Sequence, residues 1–424
     1  MLSDAHYALA FALRKAKPWK KLYDSQIFAI RHSDGQISYC SIMGHNGDHL
    51  ALAFYPGESG LHSLRTIFTQ SFMRVEPYLR HEIMFSQDCL MVSYQSKADV
   101  TGRALDELNA YCRAHSVRPR GANALPVFEC YRPHFFPWYI EDEADQLHLL
   151  EGMEAAMDVV SRLETQTPEA LGLDAGDPDG RSIPLLVKGE NGFAWESLAC
   201  RDTFKPAYAA ALLTDELAIA RTRQAKRCAG AWGCAIVMHG DPVAPEGTPE
   251  GEEPLSAPFF PYVLLIISLD DGMVLSASLA NNPDDYAPEF TQALLKLFTE
   301  SGRPRRLLCK DERTFALLKA LAGQLGIRLE QKDSINVLDE ALDHYVNTFS
   351  PFSQEDGFGG DDDESGVNDE EMLTFLNAIL TNPEALRSIP DSLLSDLVSV
   401  ADAGVLPPEL CQIIRAEIKR RKKR

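Results

Sequence analysis

Two stretches of apolar residues, each interrupted by Asp-Gly, determine the fold that we expect. Residues 262–269 (YVLLIISL) form a continuous apolar run, which is long enough for a buried strand and too short to span a membrane. Asp270-Asp271-Gly272 follows as a turn, because glycine accepts the positive φ that tight hairpins need. Residues 273–279 then alternate between two faces, as in a strand with one buried face. Residues 27–43 repeat this arrangement, so the pattern predicts two β-hairpins.

Around these hairpins, the spacing of apolar residues predicts two units with a similar order of elements. In each unit a three-stranded meander precedes a helix, a strand and a second helix. The first unit also has a helix over residues 5–16 and a long helix that ends near residue 165. The predicted fold class is therefore α+β or α/β, with two similar domains of sheet and helix.

Changes in composition divide the chain into five predicted segments. Two are sheet-containing domains, one is a glycine-rich linker, one is an acidic segment and one is a small all-α module with a basic tail. The acidic segment has nine acids and no Lys or Arg, so we expect it to be disordered. In chain order, the segments are the first domain (1–167), the linker (168–182), the second domain (183–350), the acidic segment (351–371) and the helical module (372–424).

Charge and cysteine content restrict the partner and the compartment. The 424 residues include 41 Lys and Arg against 62 Asp and Glu, a formal net charge of −21. Such a surface repels phosphate backbones, so we expect no nucleic acid as a general partner. The nine cysteines show no framework spacing, which indicates a reducing compartment. Without a signal peptide or an apolar span of about 20 residues, the sequence predicts a cytoplasmic protein with no membrane partner.

Known catalytic motifs are missing from the sequence. It contains no G-x-G-x-x-G after a strand, no Walker A motif, no G-x-S-x-G and no H-E-x-x-H. Cys228, Cys234 and His239 lack a fourth ligand at the spacing of a zinc site. We therefore predict no metal and no cofactor, and the sequence leaves open whether the protein is an enzyme or binds a small molecule.

The order of elements in the second domain suggests one enzymatic alternative. Three strands, a helix, a strand and a helix is the order of ribonuclease-H-like domains. Nucleases of that group hold two divalent metals between carboxylates on the first strand, the first helix and the end of the fourth strand. The nearest matches in this chain are Asp270 or Asp271, Glu289 and Asp311. These acids also have local explanations: Asp270 and Asp271 as turn residues, and Asp311 as a helix cap.

Two further segments are candidates for binding. Residues 131–139 (YRPHFFPWY) carry so many rings that they are expected to pack two domains together. The alternative is a peptide-binding surface that includes Trp138 and Tyr139. The tail residues Lys419, Arg420 and Arg421 are candidates to contact a nucleic acid or an acidic partner, although no aromatic residue lies among them for base stacking. They could instead contact the acidic segment or be a favourable helix end.

Several longer stretches resemble an uncharacterised bacterial family with two consecutive domains of unknown function. The first domain shows the resemblance at WKKLYDSQIFAIRHSDGQISYCSIMG, QDCLMVSY and RPHFFPWY. The second domain shows it at GAWGCAIV, FFPYVLLIISLDDGMVL and RRLLCKDERTFALLKALAGQLGIRLE. The match covers residues 17 to about 345 and implies no activity. Our leading hypothesis is a non-catalytic cytoplasmic interaction or regulatory protein with a protein partner, and the alternative is a divalent-metal-dependent nuclease or a degenerate ribonuclease-H-like domain.

Overall fold

The structure of the chain is a computed structural model. It describes residues 2–349 apart from 48, 71–75, 191, 229, 246, 249–253 and 281–284. The predicted acidic segment and the helical module lie outside the described residues.

The helices and strands form two successive groups along the chain. The helices are Asp4–Ala16 (α1), Gly57–Gln70 (α2), Pro77–Phe85 (α3), Gly102–Ala114 (α4), Glu143–Arg162 (α5), Glu216–Gln224 (α6), Tyr286–Glu300 (α7), Glu312–Leu325 (α8) and Asn336–Phe349 (α9). The strands are Phe28–Arg31 (β1), Ile37–Met43 (β2), Ala51–Pro56 (β3), Cys89–Gln95 (β4), Leu125–Tyr131 (β5), Ser182–Gly189 (β6), Gly192–Ala199 (β7), Ala231–Met238 (β8), Tyr262–Ser268 (β9), Val274–Ala280 (β10), Arg306–Cys309 (β11) and Arg328–Gln331 (β12). The two predicted hairpins are therefore present, as β1–β2 and β9–β10.

The first sheet has seven strands in the order β5-β4-β3-β2-β1-β6-β7. One face is covered by α1, α4 and α5, and the other by α2. Helix α5 begins where the Asp142 carboxylate accepts hydrogen bonds from two backbone amides of the first turn. Gly152 of α5 lies against Phe54 of β3, and a Cβ at this position would come within 2.7 Å of the Phe54 ring. The glycine therefore lets this helix approach the sheet closely.

The hairpin β6–β7 corrects the predicted domain boundary. We predicted that the second domain starts at residue 183, but β6 pairs in parallel with β1, with Ala29 opposite Leu185. The segment 168–182 is not a free linker either, because Leu173 is fully buried in the first core and its carbonyl accepts a hydrogen bond from Gln26. Period-two alternation indicates a strand and its faces, but it does not identify the sheet that the strand joins.

The second sheet has five strands in the order β10-β9-β8-β11-β12. Strand β9 is antiparallel to β8, whereas β11 is parallel to both β8 and β12. Helices α7 and α8 cover one face, and α9 and α3 cover the other. The α+β class with two sheet-containing domains is confirmed. The two domains share an order of elements, but their strands pair differently. After the three-stranded meander, β4 pairs with the last strand of the meander, β3, whereas β11 pairs with the first strand, β8.

Helix α3 was not predicted, and it connects the two domains. Its sequence lies between α2 and β4 of the first domain, yet Tyr78 is buried against the second sheet with Ala235 and Leu338. Phe85 and Phe136 of the first domain pack on the other core of the second domain. The two sheets are therefore joined by side chains that the first domain contributes.

Candidate interaction surface

The first place to look for a ligand site is the switch point between β8 and β11. In open sheets with parallel strands, ligands bind outside the carboxyl ends of the strands, where the connections leave in opposite directions. Asp311 lies there and caps α8, since its carboxylate accepts hydrogen bonds from the backbone N and the hydroxyl of Thr314 at 2.7 and 2.8 Å. The Thr314 hydroxyl in turn accepts a hydrogen bond from the Ile236 amide at 2.8 Å. Burial raises the pKa of Asp311, although these hydrogen bonds oppose the shift.

This switch point is occupied by the first domain. Arg313 of α8 forms an ion pair with Glu82 of α3, and its guanidinium lies 4.4 Å from the centre of the Tyr262 ring. Burial opposes the charge of Arg313, but the charge and hydrogen bond of Glu82, together with Tyr262 and Asp311, outweigh it, so the pKa of Arg313 is raised. His134 lies 2.9 Å from the Tyr262 hydroxyl, and its carbonyl accepts a hydrogen bond from the Phe260 amide. Residues of the first domain therefore fill the position at which open sheets of this kind bind ligands.

The predicted carboxylates are not all brought together. Asp270 and Asp271 form the turn between β9 and β10, and the Asp270 side chain lies against Gly230 at the start of β8. Asp311 lies next to Ile236, six residues further along the same strand. At about 3.3 Å per residue, the two ends are about 20 Å apart. Asp270 and Asp311 are therefore too far apart to hold one metal or a metal pair.

The third predicted carboxylate, Glu289, and the cysteines considered as zinc ligands lie on separate elements of the second domain. Glu289 is in the first turn of α7. Cys234 is buried on β8, and the Cys228 thiol donates to the carbonyl of Ser301. Across the described ranges, no group of three or more His, Cys, Asp or Glu residues has the geometry to hold a metal ion.

The aromatic loop packs on both domains. Trp138 pairs through its backbone with Cys130 of β5, and Tyr139 packs under the Arg103 guanidinium at 4.6 Å. Phe136 donates a backbone hydrogen bond to Pro258 of the second domain at 2.8 Å. Both Trp138 and Tyr139 are half-buried, and their role in binding a peptide stays a prediction. Lys419, Arg420 and Arg421 lie outside the described residues.

A buried polar cluster in the first domain has the geometry of a catalytic triad without its access. His32 lies between Ser38, at 2.9 Å from Nε2, and Glu151, at 3.1 Å from Nδ1. All three residues are at most 5% exposed, so a substrate could not reach the Ser38 hydroxyl. The sequence analysis did not find this cluster, because its members lie on β2, on α5 and after β1.

The second domain carries a set of exposed cations at the amino-terminal edge of its sheet, which we call the basic face. Backbone hydrogen bonds join its segments: Arg303 donates to the Lys226 carbonyl at 2.7 Å, and Arg328 donates to the Arg305 carbonyl at 3.1 Å. Together these segments place seven exposed cations on one edge of a strongly acidic protein: Arg221, Arg223, Lys226, Arg227, Arg305, Arg306 and Arg328.

Some of these cations have local structural roles. Arg223 donates to the carbonyl of Gln324 at 2.8 Å, and buried Arg303 donates to the carbonyl of Leu325, so both stabilise the carboxyl end of α8. Glu330 pairs with Arg328 at 2.9 Å and lies 3.9 Å from Arg306. Burial, and then the neighbouring charges of Arg227 and Arg223, lower the pKa of Arg303, as a positive local potential should.

The remaining cations of the basic face are free to meet a ligand. In the part of the chain that the structure describes, no carboxylate lies within 4 Å of Arg221, Lys226, Arg227 or Arg305. Helix α6 forms a ridge with a shallow groove on either side, one towards α7 and one towards α8. Leu217 on this ridge is 68% exposed. The surface therefore combines unpaired positive charge with exposed apolar area.

The sequence contains only part of the signal for the basic face. The four cations between 221 and 227 are visible as a cluster, which a helix end explains without a partner. The cations near residues 305 and 328 join them only because β11 and β12 begin at the same edge of the sheet. Such a non-local cluster requires knowledge of the strand order.

Fold and surfaces together define a two-domain α+β protein whose first domain occupies the switch-point crevice of the second. Residues 4–176 match the family model described as Domain of unknown function (DUF7309), and residues 218–345 match Domain of unknown function (DUF6930). The predicted resemblance to two consecutive domains of unknown function is thereby confirmed. No curated protein matches the chain. Among the described helices, none has the length and apolar character needed to cross a bilayer.

Proposed function

We propose that this chain is a non-catalytic cytoplasmic interaction or regulatory protein, and that its basic face binds an acidic segment of a partner protein. The observation that carries the proposal is the concentration of unpaired cations on one edge of a protein with a net charge of −21. Such a patch attracts acidic ligands and orients them on approach. The occupied switch point supports a role without catalysis, because Arg313 and Glu82 close that crevice.

The features around the basic face favour a protein ligand over a nucleic acid. Exposed Leu217 lies one helical turn before Arg221, so an acidic ligand with apolar side chains can use both. The exposed residues of α6 include no aromatic ring on which a base could stack. The rest of the acidic surface repels a long phosphate backbone.

Fluorescence anisotropy with a labelled poly-glutamate peptide tests the proposal. We expect Arg221→Gln/Arg305→Gln to weaken binding about fivefold at low salt, since each exposed charge pair is worth about 0.5 kcal/mol. The matched control is Arg118→Gln/Arg120→Gln, which removes two exposed cations from the first domain and should bind as the unaltered protein does. Equal losses in both variants, or tighter binding of an oligothymidine than of the peptide, would overturn the proposal.

The nuclease alternative is supported by the order of elements in the second domain. Strand β8, the first of its sheet, has the sequence AWGCAIVM and contains no carboxylate. Asp311 is engaged in capping α8, and Asp270 lies at the other end of β8. These positions make a degenerate ribonuclease-H-like domain the better form of this alternative.

A direct assay separates the alternative from the main proposal. With Mg²⁺ or Mn²⁺ and labelled single- and double-stranded substrates, a nuclease should lose cleavage on Asp311→Asn, whereas an interaction protein shows no cleavage to lose. Thermal unfolding of the same variant shows whether the loss of the cap alone explains a change. Metal-dependent cleavage that disappears in a folded Asp311→Asn variant would favour the alternative.

A further inference from the structure

We propose that the acidic segment of this chain, residues 351–371, occupies the basic face of its own second domain and competes with the partner. This inference rests on the proposed function of the basic face. The segment contains nine acids without a single Lys or Arg, and the face contains seven exposed cations. Its neighbouring carboxylates are Glu330, which pairs with Arg328, and Glu216 and Glu300, which line the grooves on either side of α6. The chain therefore carries both a binding surface and a ligand of matching charge.

The position at which the described chain ends makes this contact possible. Helix α9 crosses the second sheet: Val337, near its start, lies by Gly272 in the β9–β10 turn, and Tyr345 bonds His239 beyond the end of β8. The 14 residues of α9 span about 21 Å. The chain thus leaves the sheet at the edge opposite to the basic face.

The acidic segment is long enough to return across this distance. The 22 residues from 350 to 371 can extend to about 70 Å, more than three times the length of α9. The acids at positions 361–371 lie far enough along this stretch to reach the opposite edge of the sheet. A tethered ligand of this kind has a local concentration on the order of a millimolar. A contact whose Kd lies below that concentration is therefore occupied for most of the time.

The same segment has a second cationic candidate within the chain, the tail at 419–424. The cations of the basic face are held in place by a sheet and by backbone hydrogen bonds. A fixed cluster binds an acidic segment without first ordering its own backbone, which costs about 1 kcal/mol or more per residue. We therefore assign the acidic segment to the basic face.

The decisive experiment compares the full chain with a variant in which the nine acids of 351–371 are replaced by Asn and Gln. The probe is the labelled poly-glutamate peptide at low salt. We expect the neutralised variant to bind the probe about tenfold more tightly, because the internal competitor is removed. Adding Arg221→Gln/Arg305→Gln should cancel most of this gain, and Arg118→Gln/Arg120→Gln should leave it unchanged.

Each other result identifies which idea fails. If neither chain binds the probe, the proposed function of the basic face is wrong. If both chains bind it equally, the face binds acidic ligands but the acidic segment does not occupy it. A gain that persists with Arg221→Gln/Arg305→Gln would place the segment on the tail instead. A gain that disappears on dilution of the protein would show a contact between two copies.

Discussion

At the scale of single residues, the first domain buries two imidazole rings beside each other. The rings of His32 and His148 lie 4.3 Å apart, and each ring contacts a carboxylate, Glu151 for His32 and Asp34 for His148. Burial, and then the nearby His148, lower the pKa of His32 to about 4. Neutral His32 can donate to Glu151 and accept from the Ser38 hydroxyl at the same time.

This depressed pKa predicts a loss of stability in mild acid. The unfolded chain takes up a proton at His32 near its ordinary pKa of 6.5, whereas the folded chain does so only near 4. The free energy of unfolding therefore falls as the pH decreases through this window, by about 2 kcal/mol between pH 7 and pH 5. Urea unfolding at these two pH values measures the effect.

Two variants show whether the loss belongs to His32. His32→Gln removes the titrating group, so its free energy of unfolding should depend less on pH over this range, by about 2 kcal/mol. His115→Gln, a change on the surface beside Asp4, should keep most of the loss seen in the unaltered protein. The same pH dependence in the unaltered protein and in His32→Gln would contradict the prediction.

At the scale of elements, the ion pair between α3 and α8 is the contact that we expect to be most sensitive to substitution. The side chains of Glu82 and Arg313 are only 12% and 15% exposed. Glu82→Gln leaves the Arg313 charge buried without its partner and should cost about 3–5 kcal/mol of stability. The double variant Glu82→Met/Arg313→Met removes both charges and should be more stable than Glu82→Gln alone. Losses that simply add in a double-mutant cycle would show that the pair is not coupled.

Local sequence patterns predicted most elements but not how distant elements pair. The hairpins follow from alternation and an Asp-Gly turn, which act over fewer than 20 residues. The parallel pairing of β1 with β6 joins residues about 150 positions apart, and Leu185 could belong to either sheet by its pattern alone. Helix α3 escaped prediction because it covers a sheet of the other domain, and its nine residues are too few to show a clear periodic apolar stripe.

For the predicted carboxylates, too, local sequence patterns indicate the role of each residue but not the distances between residues. Asp311 as a helix cap and Asp270 as a turn residue were recognisable as local alternatives from the sequence. The distance between Asp270 and Asp311 could not be predicted from the sequence, because it depends on the register of β9 and β11 against β8. The pairing of Glu82 with Arg313 depends on the packing of two domains, so no local pattern indicates it.

At the scale of the whole molecule, the junction predicts that the two domains unfold together. The first domain contributes Tyr78 to one core of the second domain and Phe85 to the other, and the loop at 134–136 adds backbone hydrogen bonds. Unfolding the second domain alone would expose these rings and leave Glu82 without its partner. The cost of that partial state makes a single cooperative transition the expected behaviour.

Two tryptophans make this prediction measurable, because each is buried in the core of one domain. Trp19 reports on the first domain and Trp232 on the second, so single-tryptophan variants with Phe at the other positions follow each domain separately. In urea, the two probes should give the same midpoint. Phe85→Ala weakens the junction by about 3 kcal/mol and should separate the midpoints, with the Trp232 signal changing first. Midpoints that already differ in the protein with Phe85 intact would mean that the junction does not couple the domains.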